Sequence, residues 1–257
     1  MRANVSINSV EGLSWDRVAA RIAAGASAIL PIGAGAKEHG FHLPMNTDRI
    51  QAEALAARVA DPIDALIWPT VTYGYYPAFA AYAGSCTLSE STFEAMIGDS
   101  ISALIGYGCK AVFLLDTGIS TITPVERVLG RLASDCVCHL KIHDGPRYKA
   151  AVQKLAQQDY GSHADEMETS LMLALAPDAL DLARAEASPA KARDARGPLT
   201  PSDAASPGYS RSGSFGDPTL ATRAKGEVLL AAMTDDILES ARMFLQRSSM
   251  ARSGRAS

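Results

Sequence analysis

Cysteine and histidine are scarce in this chain: four cysteines and five histidines among 257 residues. No two cysteines are spaced as CxxC, which argues against a structural zinc knot. Cys136 and Cys138 flank one valine; strand alternation would put both on one face, where they read as small buried residues. Long apolar runs are also missing, and none approaches the ~20 residues of a membrane span. The N-terminal MRANVSINSVEG is polar and lacks a signal-peptide core, so we expect a cytoplasmic protein. An excess of positive charge is absent too. The formal net charge is −4, which argues against nucleic-acid binding through a broad basic face. What is present is ordinary for a globular chain, with 47% hydrophobic and 20% charged residues. At this length the core is large enough to need no disulfide or metal for folding. We read residues 1–247 as one domain and 248–257 as a flexible tail.

Apolar runs alternate with helical periodicity along the chain. Residues 14–24, 47–59, 89–106, 123–133, 168–176 and 220–246 carry helical spacing, and 28–32, 65–71, 111–115 and 136–142 read as strands. Strands apolar throughout and separated by helices predict an α/β fold, with a mostly parallel sheet covered on both faces. Ligands of such sheets bind beyond the carboxyl ends of the strands, which directs attention to the loops after Ile32, Val71 and Leu115. Residues 188–216 are rich in Pro, Ser, Gly, Ala and Arg and read as a long loop or flap, in which 211–215 line either the site or a subunit contact. Trp15 and Trp68 read as core or interface residues, and Asp217-Pro218 as a turn. The GAGA segment at 33–36 completes no GxGxxG pattern, so nucleotide binding is not expected.

Two polar clusters interrupt this pattern. KEHGFHLPMNTD, residues 37–48, holds Glu38, His39, His42 and Asp48 around Gly40 and Pro44. Imidazole nitrogen with carboxylate oxygen is a ligand set for zinc, manganese or iron, although Asp48 at a helix start also suits the first turn of that helix. GSHADEMETSLML, residues 161–173, gathers His163, Asp165, Glu166 and Glu168. These read as ligands or acid–base groups, or in the case of Glu168 as a carboxylate at a helix N-terminus.

Together the two segments resemble the metal motifs of the creatininase (creatinine amidohydrolase) family, and SFGDPTLATRAKGEVLL resembles its C-terminal segment. The three motifs occur in the family's order and span about residues 14–239. The resemblance implies a three-layer α/β/α fold with a mostly parallel central sheet and a divalent-metal hydrolase of C–N amide bonds. It also implies a homo-oligomer, commonly a hexamer. It places two metals around a shared aspartate. Zinc is the first expectation, with manganese or iron as alternatives, at one or two per chain. By motif, His39, Asp48 and Glu168 match metal ligands and His163 matches the catalytic histidine, with Glu166 as a candidate partner for it. The family's first glutamate aligns with Lys37; a one-residue shift of the loop would bring Glu38 to the metal instead.

Two departures stand out. Gly118 occupies the place of a further ligand histidine, leaving Asp116, His42 or His143 to substitute, while His139 reads as structural. Tyr76 stands where creatininase has a serine near its substrate, so creatinine is not the expected substrate. Tyr76, Asp116 and Ser120 are the candidate substrate contacts. The resulting expectation is a metal-dependent amidohydrolase cleaving a small cyclic or linear amide by metal-activated water. The rivals are a catalytically silent binding or scaffold protein and a peptide-maturation protease on the same fold.

Overall fold

The computed structural model describes residues 7–188 and 197–253. Four parallel strands, β1 (Ser27–Ile32), β2 (Ala65–Ile67), β3 (Val112–Asp116) and β4 (Val137–Lys141), form a sheet in the order β2-β1-β3-β4. The helices are α1 (Trp15–Ala23), α2 (Thr47–Val59), α3 (Glu90–Gly106), α4 (Ile122–Leu132), α5 (Pro146–Leu155), α6 (Glu166–Leu175) and α7 (Arg223–Ser253).

The two-residue period of the strands divides the core. Ile29, Phe113 and Leu115 face one side and pack with Leu55 of α2, Leu171 of α6 and Leu230 and Met233 of α7. Ala28, Leu30, Val112 and Leu114 face the other and pack with Phe93, Ile97 and Ile101 of α3 and Val125 and Val128 of α4. Burial on both faces explains why these strands are apolar throughout rather than alternating. The result is the three-layer α/β/α arrangement expected from the sequence.

Several local expectations shift. The second strand ends at Ile67 rather than Val71, because the chain turns through Pro69; Val71 returns as a single bridge to Ile32. The helix α5 was not anticipated: it opens on Pro146 and has no fully buried residue, so its apolar signal is weak. Helix α6 begins at Glu166, two residues earlier than expected, because Asp165 caps it by accepting from the N–H groups of Met167 and Glu168. Helix α7 runs on to Ser253, so the expected tail is helical up to there; residues 254–257, and 189–196 of the expected flap, lie outside the described residues. Cys136 precedes β4, so the two cysteines do not share a face: Cys136 packs towards α3 and α4, Cys138 towards α7. Trp15 is 83% exposed and belongs to no core, whereas Trp68 packs against the α3 side.

This topology locates the site. From β1 the chain moves outward to β2, then crosses back to place β3 on the other side of β1. The direction of winding reverses between β1 and β3, and a crevice opens beyond their carboxyl ends. Ile32 and Asp116, paired in register, mark its floor.

Candidate metal centre

Gly33 starts the loop after β1. A Cβ there would meet the carbonyl oxygen of Asp48 at 2.5 Å, so only glycine lets this loop lie against the start of α2. The loop is then folded back by backbone bonds from Lys37 N–H to Met45 and from Arg49 N–H to Ala34. Lys37, Glu38 and His39 are thereby brought over the first turn of α2, where Asp48 is buried.

His39 is fully buried. Its Nδ1–H donates to the carbonyl oxygen of Lys37 (2.9 Å), which turns Nε2 towards Asp48 Oδ1 at 3.0 Å and Glu168 Oε1 at 3.8 Å. Anchoring one imidazole nitrogen on a carbonyl while the other faces carboxylates is the usual preparation of a histidine ligand. His163 is arranged similarly. Its Nε2 lies 2.8 Å from the carbonyl oxygen of Glu38 and 3.3 Å from Glu38 Oε2, so Nδ1 faces Glu168 Oε2 at 3.7 Å. The two imidazole rings are 4.8 Å apart between centroids. One donor atom each from His39, His163 and Glu168 lies within 4.8 Å of the others, forming a group able to hold a metal ion among the described residues. Glu168 is itself positioned by Gln51 Nε2 on Oε1 (3.2 Å) and by the N–H of Ala164 on Oε2 (2.7 Å). Ala164 adopts a positive φ of 46°, a strained turn that aims its N–H at the carboxylate.

Lys37 is a group that the motif marks only as a mismatch. Its Nζ lies 2.7 Å from Asp48 Oδ2 and 5.1 Å from the centre of the Phe79 ring. Burial disfavours the ammonium, but Asp48, Glu168 and Glu38 outweigh it and hold its pKa above the ordinary lysine value. Burial likewise pushes Asp48 up, and Lys37 and His39 together bring it far below the usual carboxylate range. In Glu168 burial is overcome by His39 and His163, which lower it; in His163 burial is overcome by Glu38, which raises it. The signal for Lys37 in the sequence was a basic residue aligned with a lost acidic ligand.

The remaining expected residues fall into place around this centre. Glu38 lies with its carboxylate against His163 Nε2 and beneath the 210–215 strap, where a Cβ on Gly213 would clash with Glu38 Oε1. It stands behind His163, and its side chain does not enter the group formed by His39, His163 and Glu168. Glu166 is fully buried, accepts from the N–H groups of Gln157 and Gln158, and pairs with Lys225; it ties α6 to α7 rather than touching His163. Of the three suggested substitutes for a histidine at position 118, none is what meets the second oxygen of Asp48, which is taken by Lys37. Asp116 accepts from the hydroxyl of Thr121, the N–H of Gly118 and His139 Nε2; His42 bonds the hydroxyl of Thr169 (2.7 Å); His143 stacks near Tyr148. His139, read as structural, is thus the clamp on Asp116.

A cavity of about 460 Å³ opens over the centre, lined among others by Lys37, Asp48, Tyr76, Phe79, His163 and Glu168. Tyr76, Asp116 and Ser120 line it as well. The hydroxyl of Tyr76 donates to the carbonyl oxygen of Cys86 (2.7 Å), with that of Ala36 at 3.1 Å, and burial raises its pKa to about 12. The proton of its hydroxyl is thus committed to the backbone. The volume suits a small molecule. No helix among the described residues is long and apolar enough to cross a membrane.

The site and fold define an α/β protein with a buried histidine–carboxylate metal-ligand group at a sheet switch point. The family described as "Creatininase: Creatinine amidohydrolase" matches residues 11–241, and the chain belongs to the creatininase family. It is 28% identical over 251 residues to the creatinine amidohydrolase of Pseudomonas putida, covering 90% of this chain and 94% of that protein. It is 27% identical over 227 residues to the mycofactocin precursor peptide peptidase of Mycobacterium tuberculosis (strain CDC 1551 / Oshkosh), covering 82% of each. Among solved structures, one described as "Creatininase Mn" superposes with a TM-score of 0.78 at 28% identity, over 92% of this chain and 98% of that one. A mutant creatininase described as "Zn-Zn type" also gives 0.78 at 28% identity, over 91% and 97%.

Proposed function

We propose that the chain is a metal-dependent amidohydrolase that cleaves a C–N amide bond in a small cyclic or linear substrate other than creatinine. The observation that carries this is the orientation of two buried imidazoles. His39 and His163 each spend one nitrogen on a backbone carbonyl and aim the other at Glu168. Imidazole nitrogen beside carboxylate oxygen fits a divalent ion, zinc first and manganese or iron next. His39 Nε2, Asp48 Oδ1 and Glu168 would hold it. A bound ion supplies Lewis acidity and lowers the pKa of water to ~7.

The chain's own groups do the rest. His163, backed by Glu38, carries a proton on the side facing the centre and delivers it to the departing nitrogen. The apolar faces of Tyr76 and Phe79 shield the cavity from water, while Ser120 offers a polar contact to the substrate. Asp116 acts by holding the 117–121 turn in shape. A second role for His163, as an ion ligand, is favoured by its place in the group that spans only 4.8 Å. His163→Asn distinguishes the two: a proton carrier leaves metal content intact and abolishes turnover, whereas a ligand takes the metal with it.

The experiment for the function is metal analysis of purified protein joined to a hydrolysis screen over lactams, cyclic ureides, formamides and short peptides. Bound metal with turnover of a small amide is expected. Bound metal with turnover of peptides alone transfers the site to the peptidase reading, and bound metal with no turnover to the silent-scaffold reading. A homo-oligomer, a hexamer by resemblance, and a cytoplasmic location complete the proposal; light scattering of the purified protein checks the former.

A further inference from the structure

We propose that this centre takes one divalent ion per chain, with the ammonium of Lys37 standing as its second, covalently tethered cation. The proposal rests on the metal-dependent reading above. Asp48 is the pivot. Its Oδ2 is 2.7 Å from Lys37 Nζ, and its Oδ1 faces His39 Nε2 at 3.0 Å. The ammonium holds Oδ2, which leaves Oδ1 as the oxygen that Asp48 turns towards His39 and an ion beside it, and sets a positive charge where a second ion would approach Oδ2.

The charges agree. The buried cluster contains three carboxylates, those of Glu38, Asp48 and Glu168, and one ammonium, that of Lys37. With His163 protonated as proposed above, one net negative charge remains, so a single divalent ion already carries the cluster past neutrality and a second would add two further positive charges. Packing closes the alternative from the other side. A Cβ on Gly118 would lie 2.4 Å from the hydroxyl oxygen of Thr121, which is itself bonded to both oxygens of Asp116. No side chain reaches the centre from position 118 unless that network is dismantled. The centre is therefore organised differently from that of the relative described as "Zn-Zn type". Lys37 lines the cavity, and its ammonium has N–H bonds beyond the one given to Asp48. A substrate carbonyl thus meets a fixed ammonium beside one ion instead of a pair of ions.

The test is stoichiometry. The full-length protein is loaded with excess zinc, and separately with manganese, freed of loose ions and measured by plasma mass spectrometry against protein concentration. One ion per chain is expected. Two per chain overturns the proposal, while less than ~0.2 per chain overturns the metal-dependent reading itself, a distinct failure. Lys37→Met removes the ammonium and leaves Asp48 free to attract cations, so its zinc affinity by chelator competition should rise about tenfold or more. Lys37→Arg keeps the charge and should match the wild type. A folded Lys37→Met protein with unchanged affinity overturns the assignment of Lys37, and the wild-type stoichiometry decides the matter if that variant does not fold.

Discussion

Lys37 and Asp48 form an ion pair, Nζ to Oδ2 at 2.7 Å, with both side chains almost wholly withdrawn from solvent. A buried pair of this kind is costly to break from one side, because the partner left behind loses its main counter-charge while largely shielded from water. Lys37→Met is therefore expected to destabilise the metal-free protein by about 3–5 kcal/mol. Zinc should restore much of that loss, since it binds the native state and neutralises Asp48. Thermal melts with and without zinc check this; equal destabilisation in both conditions contradicts it.

Gly118 gives a second prediction. Restoring the histidine expected from the family motif, by Gly118→His, should not create a metal site. Its Cβ would collide with Thr121, and displacing that hydroxyl breaks its bonds to Asp116. We expect a loss of about 1–3 kcal/mol from overpacking, with metal content unchanged. Denaturant unfolding and metal analysis report the two effects separately.

What was legible in the sequence divides along physical lines. Helix α2 matches the expected 47–59 span residue for residue, because Asp61-Pro62 stops it in the sequence as in the structure. A parallel sheet covered on both faces followed from apolar strands alternating with helices, and the three-layer form from the family resemblance. His39, His163 and Glu168 were named from motifs, and the structure gathers them into one group. Lys37 was seen only as a mismatch, since spacing does not show that its side chain folds back onto Asp48. The short β2 and the weakly buried α5 escaped because local apolar signal is the only guide to such elements, and tertiary contacts set their ends. The fate of position 118 depends on Thr121, three residues on, through a contact made by loop geometry.

Glu166 offers a test that separates architecture from chemistry. Its carboxylate is fully buried and engaged by two backbone N–H groups and Lys225. Glu166→Ala leaves those donors and the ammonium of Lys225 without their acceptor, and should cost about 3–5 kcal/mol of stability. Metal affinity at low temperature, where the variant remains folded, should be unchanged. A folded Glu166→Ala protein that loses metal would place Glu166 in the centre after all.

His42 sets a pH dependence of stability. Burial lowers its pKa from 6.5 to about 4, so the folded protein keeps the ring neutral and bonded to Thr169. The unfolded chain binds a proton there once the pH falls below about 6.5, whereas the folded chain does so only near 4. Between those values the unfolded state holds more protons, and stability declines as pH falls. The full contribution is present above pH 6.5 and is lost progressively down to about pH 4. Allowing for solvent screening, the slope should be about 1 kcal/mol per pH unit at most. His42→Gln removes the titrating group while keeping a polar side chain able to bond Thr169. Unfolding free energies measured from pH 7 to pH 5 should therefore fall less steeply for His42→Gln than for the wild type, and parallel curves would show that another group governs the acid limb.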